Sequence, residues 1–166
     1  MAIGGLLAAL VRISEQFAHA TVVEGLESPG YCEAARLLGA KLGQGFALAR
    51  PMPAVDLATW IRQTPLAPAK SAELQTWEGA LAYHWVTMHD VVHPRHPGSL
   101  QGCPLTRFLQ AQEVDDPMAQ HWHDQVHHSP YTAQIEMASD SLLEWIAERV
   151  ARAAASCTRQ TAFPAG

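Results

Sequence analysis

The residues with the clearest capacity for chemistry in this sequence are histidines and a cysteine beyond residue 70. Eight of the nine histidines lie in that part of the chain. His123 and His127 are four residues apart, so they share one face of a predicted helix, as a metal-binding pair must. Cys103 begins another predicted helix, where the helix dipole favours the thiolate. The pattern predicts either a metal site or a helical bundle with surface histidines and a buried structural thiol.

A second group of residues that could take part in chemistry lies at the ends of two predicted strands. The first apolar strand ends on Glu24, with Glu27 three residues later, and the second ends on Gln44 between two glycines. A predicted helix separates the two strands. Because (β/α) barrels carry their working side chains at the carboxyl ends of strands, the pattern is typical of two successive β/α units. The alternative is that Glu24 is a carboxylate at a strand end with no role in catalysis or metal binding.

Residues 1–62 resemble the last two β/α units of the EAL family, the phosphodiesterases that hydrolyse the bacterial second messenger cyclic di-GMP. The resemblance is carried by Glu-Gly-Leu-Glu at 24–27 and by the segment 38–53, with its Leu-Gly, Gly-Gln-Gly and Pro-Met-Pro in the family's order. The glycines and the 20 positions between Glu24 and Gln44 also agree with the family. The resemblance implies that the chain is the C-terminal part of such a phosphodiesterase.

The same resemblance implies a site with two divalent cations, Mg²⁺ or Mn²⁺, that activate a water for attack on a phosphodiester. Glu24 and Gln44 match a late active-site glutamate and glutamine of the family, and Glu27 matches a glutamate that supports a loop. The Glu-Ala-Leu triplet, which supplies the first metal ligand, is absent from the sequence. We therefore expect the chain to be inactive by itself, and to bind cyclic di-GMP only where the missing strands come from elsewhere.

The histidine-rich part resembles the chemoreceptor zinc-binding (CZB) module, a four-helix domain. That family binds zinc through a histidine on its first helix, a cysteine that begins a turn and a later pair of histidines four residues apart. The zinc ligands that the resemblance implies are His84, Cys103, His123 and His127, with His89 as an alternative to His84. Such a site is structural or sensory, because four protein ligands leave zinc no open position for catalysis.

Composition and charge exclude several classes of function. The formal net charge is −5, and no run of Lys or Arg occurs, so we expect neither nucleic-acid binding nor attachment to an anionic membrane. The apolar segment 1–11 lacks a cationic flank and continues as an amphipathic helix, unlike a signal peptide. The three cysteines have unrelated spacings and predict no disulfide framework. These features favour a cytoplasmic protein.

The elements that must position both groups form a mostly α-helical chain with a small α/β part. We predict a partial barrel at 1–62, a Pro/Ala linker at 63–70, a helical His/Trp-rich module at 71–154 and a frayed tail at 155–166. Helices are predicted at 2–18, 29–38, 55–62, 71–92, 104–111, 116–128 and 131–154, strands at 21–23 and 42–48, and a loop at 93–102. The exposed edge of a partial barrel also predicts a contact with a second copy or with a parent protein.

Two apolar stripes at helical spacing predict the core of the helical module. They consist of Leu74, Trp77, Leu81, Trp85, Met88 and Val92, and of Leu142, Leu143, Ile146 and Val150. Three functions remain open at this point: an inert part of a phosphodiesterase, a zinc-binding regulator, and an interaction protein that dimerises through the barrel edge.

Overall fold

The computed structural model describes residues 2–64, 73–89, 99–130 and 132–160 of the chain. Over these residues the protein is mostly helical with a small α/β part, which confirms the predicted fold class. Its elements are α1 (Ala2–Gln16), β1 (Val22–Val23), α2 (Pro29–Leu37), β2 (Leu42–Gly43), α3 (Ala54–Gln63), α4 (Trp77–His89), a 3₁₀ turn (Leu100–Gly102), α5 (Pro104–Ala111), α6 (Pro117–His128) and α7 (Thr132–Gln160). None of the described helices is both long and apolar enough to cross a lipid bilayer.

The α/β part is a single β–α–β unit with a helix on either side in the chain. Strands β1 and β2 pair in parallel, with Val22 opposite Leu42 and Val23 opposite Gly43. The crossover helix α2 begins as its sequence predicts: Ser28 Oγ accepts a hydrogen bond from the Tyr31 amide at 3.2 Å, and Pro29 occupies the first turn. The two strand ends therefore lie side by side at one edge of the sheet.

Strand β2 is much shorter than the predicted span 42–48. After Gly45 the backbone turns, and the amides of Leu48 and Ala49 both donate to the Gly45 carbonyl, at 3.0 and 3.1 Å. A side chain at position 45 would collide with the backbone of Leu26, so the glycine permits this close crossing of two loops. A local turn thus replaces the second half of the predicted strand.

Other boundaries also differ from the prediction. Helix α4 begins at Trp77 rather than at 71, and α7 continues to Gln160 rather than ending at 154. Part of the predicted loop 93–102 is the 3₁₀ turn at Leu100–Gly102. Most of the predicted linker, residues 65–70, and residues 90–98 lie outside the described residues.

The core of the helical bundle lies between α4, α5, α6 and α7. The second predicted stripe supplies its centre, since Leu142 and Ile146 are completely buried on α7. The first stripe contributes differently from its prediction: Trp77 and Leu81 pack at the rim, whereas the buried residues of α4 are Gly79, Ala80, Ala82 and His84. Small residues let α4 approach its neighbours closely on this face.

The α/β part and the bundle are joined by a contact between α2 and the start of α4. The Glu33 carboxylate accepts hydrogen bonds from the amides of Gln75 and Thr76, at 3.0 and 2.9 Å, and from the Thr76 hydroxyl at 2.6 Å. The Thr76 hydroxyl in turn accepts from the Gly79 amide at 2.9 Å, which caps α4. A carboxylate also suits the positive end of the helix dipole.

Candidate metal centre

Cys103 is held at the start of α5, next to the core. It is the residue before Pro104 and adopts an extended conformation, with φ −70° and ψ 124°. The 3₁₀ turn before it is closed by Ser99, whose side-chain oxygen accepts from the Gly102 amide at 3.3 Å. Cys103 is buried and belongs to the core cluster of the bundle. The thiol therefore has a fixed place on the inner side of α5.

Helix α6, which carries the histidine pair, is anchored to α7 through its N-cap. Asp116 Oδ1 accepts from the amides of Met118 and Ala119, at 3.1 and 3.2 Å, and its Oδ2 accepts from the indole of Trp145 at 2.7 Å. The hydrogen bond from Trp145 is the largest of the influences that lower the pKa of Asp116. Arg149 lies 3.6 Å from the same carboxylate and 3.4 Å above the Trp145 ring.

With α5 and α6 fixed in this way, three candidate ligands meet. Nε2 of His123 lies 3.6 Å from Sγ of Cys103 and 3.2 Å from Nε2 of His127. All three ligand atoms lie within 4.8 Å of one another, with Cys103 and His123 buried and His127 half-buried. The i, i+4 spacing places both rings on the inner face of α6, one turn apart.

The charge environment favours the metal-binding form of the cysteine. Burial raises the pKa of the Cys103 thiol, but hydrogen bonds from His123 and His127 outweigh it and bring the pKa down to about 5. The thiolate, rather than the thiol, is the nucleophile and the metal ligand. Cys103 is thus prepared to act as a sulfur ligand at neutral pH.

The hydrogen-bonding atoms of this cluster are also the atoms that bind metals. Nε2 of a neutral histidine carries either one hydrogen or one lone pair. The same Nε2 of His123 faces both Cys103 Sγ and His127 Nε2. A metal ion accepts a lone pair from each of the three atoms and satisfies them together.

The separations also fit a tetrahedral zinc ion. With Zn–S of about 2.3 Å and Zn–N of about 2.05 Å, tetrahedral angles place sulfur and nitrogen about 3.6 Å apart and two nitrogens about 3.3 Å apart. The observed values are 3.6 Å between Cys103 and His123 and 3.2 Å between the two histidines. Two of the three separations therefore match a tetrahedral zinc ion, and the third pair, Cys103 and His127, lies within 4.8 Å.

The other two histidines of the implied ligand set lie apart from this triad. Nε2 of His84 is hydrogen-bonded to Ser139 Oγ of α7 at 3.2 Å, and the ring is buried. Burial, together with the nearby charge of His123, lowers the pKa of His84 to about 3. His89 is exposed at the end of α4, where Nδ1 contacts the Trp85 carbonyl at 3.0 Å and the ring stacks on that indole.

A cavity of about 280 Å³ adjoins the triad. His84 lines it together with the three clustered residues, and Thr87, Met88 and Val126 form part of the remaining wall. Neither Ser139 nor Thr87 could be identified from the sequence, because neither belongs to a motif. Their relation to the triad depends on how α4 packs against α7 and α6.

The strand-end group is arranged differently. The backbone of Gln44 is fixed, since its amide donates to the Val23 carbonyl at 2.8 Å and its carbonyl accepts from the Leu26 amide at 3.1 Å. Continuing the register, Glu24 and Gln44 follow the paired residues Val23 and Gly43 at the same edge. The side chains of Glu24, Glu27 and Gln44 are all exposed. Among the described residues, Glu24 and Glu27 belong to no group of three or more His, Cys, Asp or Glu side chains that could hold a metal ion.

Comparison with known proteins adds no relative to this geometry: no protein-family model, no curated protein and no solved structure matches the chain.

Proposed function

We propose that this chain is a zinc-binding regulatory protein without catalytic activity of its own, in which Cys103, His123 and His127 hold the ion. The observation that carries the proposal is the convergence within 4.8 Å of one sulfur atom, at the residue before α5, and two nitrogen atoms on α6. Thiolate and imidazole are the ligands that zinc prefers, whereas Mg²⁺ and Mn²⁺ favour oxygen. A cytoplasmic location, where thiols stay reduced, agrees with this use of cysteine.

The regulatory role follows from where the three residues lie. Cys103 precedes α5, and the two histidines lie on α6, so a bound ion ties the start of one helix to the middle of the next. Loss of the ion removes this link between the two helices and the stabilisation that binding to the folded state supplies. Metal occupancy thereby controls how firmly α5 and α6 pack, and a partner that contacts either helix can read that difference.

Metal analysis of matched variants tests the proposal. The purified, reduced wild-type chain is expected to bind one zinc, and Cys103→Ser and His123→Ala are each expected to lose it. Cys32→Ser and His121→Ala are the controls, because Cys32 lies in the α/β part and His121 is exposed on the same helix. At one hundred times the dissociation constant, zinc should stabilise the wild type by about 2.7 kcal/mol. A folded wild type that takes up no zinc would refute the proposal.

A second candidate function rests on the sheet edge of the α/β part. Glu24 and Gln44 follow paired residues of two parallel strands, the position that active-site groups occupy in (β/α) barrels. On this reading the chain is the C-terminal part of a cyclic di-GMP phosphodiesterase, which needs further strands to bind Mg²⁺ or Mn²⁺ and the nucleotide. The strand edge would then contact a parent protein or a second copy.

Assays with cyclic di-GMP and Mn²⁺ test this candidate. We expect no hydrolysis by the chain alone, because each hard cation requires about six oxygen ligands and few are present. Turnover that disappears in Glu24→Gln would contradict that expectation and assign catalysis to this chain. Light scattering tests the edge contact: a mass that stays monomeric at all concentrations would argue against a homodimer.

A further inference from the structure

We propose that the metal held by Cys103, His123 and His127 keeps a fourth position open toward the adjoining cavity, and that this position takes a small monoanionic ligand, specifically an alkyl thiolate of a few carbons. The inference rests on the proposed zinc function and deepens it, because it names what the regulator detects. It differs from the closed site of four protein ligands that the sequence resemblance implies.

The described residues bring three ligand atoms together, and no further His, Cys, Asp or Glu among them joins this group. His84, the expected fourth ligand, is outside the group, and its Nε2 is hydrogen-bonded to Ser139 on α7. Zinc sites with three protein ligands keep water or another molecule in the fourth position.

Space for a small ligand lies beside the triad. The cavity of about 280 Å³ is lined by all three ligand residues, so an incoming molecule reaches the metal directly. Its volume is just below the about 300 Å³ at which pockets for drug-sized molecules begin, so it suits a small molecule. Met88 and Val126 provide an apolar wall against which a short alkyl group packs.

The charge of the site favours a monoanion. No Asp, Glu, Lys or Arg is among the described residues that line the cavity. A divalent ion with one thiolate and two neutral imidazoles carries one net positive charge, and a monoanion cancels it. A dianion would leave one net negative charge in a cavity whose described lining supplies no Lys or Arg to balance it. Thiolate is also a soft ligand that zinc binds well.

The binding step is a ligand exchange. The sulfur of the incoming thiol forms a bond to the metal, the bond to the metal-bound water breaks, and the water leaves. The thiol proton passes to the buffer. No electron is transferred, so the step needs no oxidant or reductant.

Cobalt substitution makes the exchange visible. Co²⁺ replaces zinc in the full-length protein under anaerobic conditions, and its absorption bands report both the bond to Cys103 and the coordination number. Titration with 2-mercaptoethanol is expected to shift the visible bands with a saturable, one-to-one dependence, and azide is expected to do so more weakly. Sulfate, a dianion, should leave the spectrum unchanged. His84→Gln removes the competing nitrogen ligand and should still give a saturable, one-to-one shift, although His84 lines the cavity.

The outcomes separate the two proposals. Absence of a thiolate-to-cobalt band would refute the zinc function, and the present inference with it. A normal band that ignores thiol and azide in the wild type but responds in His84→Gln would show that His84 closes the site, which overturns this inference alone. Cobalt bands that respond to neither thiol nor azide in both proteins would overturn this inference as well. Removal of the cobalt by the thiol would do the same. His84→Asn repeats the test where His84→Gln fails to fold.

Discussion

The α/β part and the helical bundle place their candidate chemical groups in opposite surroundings. In the α/β part, Glu24 and Gln44 are positioned by the backbone alone, and their side chains extend into solvent. In the bundle, Cys103 and His123 are buried against one another beside the core. The motif with Glu24 and Gln44 has more spaced features in its sequence, yet its side chains are the less constrained. The pattern with Cys103 and His123 has fewer such features, yet its side chains are held by packing.

The apolar residues show the same contrast. Large apolar side chains of the α/β part are widely exposed, with Phe17 at 70% and Val55 at 80%. In the bundle, Leu105 and Ile146 are completely buried. Side chains hold a fixed geometry where packing restricts their rotamers. Packing can therefore fix the geometry of a site in the bundle, whereas it does not do so at the sheet edge.

Replacing a leucine by alanine in each of the two parts should give the largest difference in unfolding free energy. Leu142→Ala removes a completely buried side chain and is expected to destabilise the protein by about 2–5 kcal/mol. The matched variant Leu10→Ala changes a side chain that is 49% exposed and should cost less than about 1 kcal/mol. Urea unfolding of the metal-free proteins measures both, and similar losses would show that the two parts are equally packed.

The N-cap of α6 should give the next largest effect. Asp116→Ala removes the cap and leaves the indole N–H of Trp145 without its acceptor. The unfolding free energy should fall by about 1–3 kcal/mol. The substitution should also weaken zinc binding, because α6 carries both histidines. Asp56→Ala is the control in the α/β part: Asp56 lies in the first turn of α3, which has no side-chain cap. An equal loss in both variants would contradict the anchoring role of Asp116.

A pH dependence of smaller size should come from His84. Its pKa is lowered to about 3 by burial and by His123, against about 6.5 in an unfolded chain. Below pH 6.5 the unfolded state therefore binds more protons, and this residue should reduce the unfolding free energy by up to about 1.4 kcal/mol for each pH unit. In the metal-free protein, His84→Gln should flatten the fall in stability between pH 6.5 and pH 5. The exposed His19→Gln serves as the control, and equal slopes in all three proteins would refute the assignment.

The smallest effect is expected at the sheet edge. Glu24→Gln and Gln44→Glu change exposed side chains and should alter the unfolding free energy by less than about 0.5 kcal/mol. Neither should change the zinc content. A large loss of stability in either variant would reveal a role for these side chains that their exposure does not suggest.

Local signals in the sequence predicted much of this fold. Ser28 followed by Pro29 marked the start of α2, and the predicted span 104–111 agrees with α5 as observed. The spacing of His123 and His127 predicted their common face. Such features depend on residues close together in the chain, where helix geometry leaves few alternatives.

The features that were not predicted depend on distant residues. The partner of His84 is Ser139, which is 55 positions away. The buried face of α4 consists mainly of small residues, and α2 and α7 pack closely on it. The large apolar residues Trp77 and Leu81 of the predicted stripe lie at the rim of the core instead. The shortness of β2 follows from the crossing of Gly45 over Leu26. Periodicity in one segment carries no information about such contacts.

The hydrogen bonds that Glu33 accepts from the residues before α4 have a consequence for how the molecule opens. The amides of Gln75 and Thr76 bond to a carboxylate on another helix, so both become free to exchange with solvent when α2 departs. Their exchange rates therefore report the opening of the α/β part, although they precede a helix of the bundle. We expect these two amides to exchange together with those of α2 in a native-state hydrogen-exchange experiment, as one cooperative unit that crosses the predicted linker.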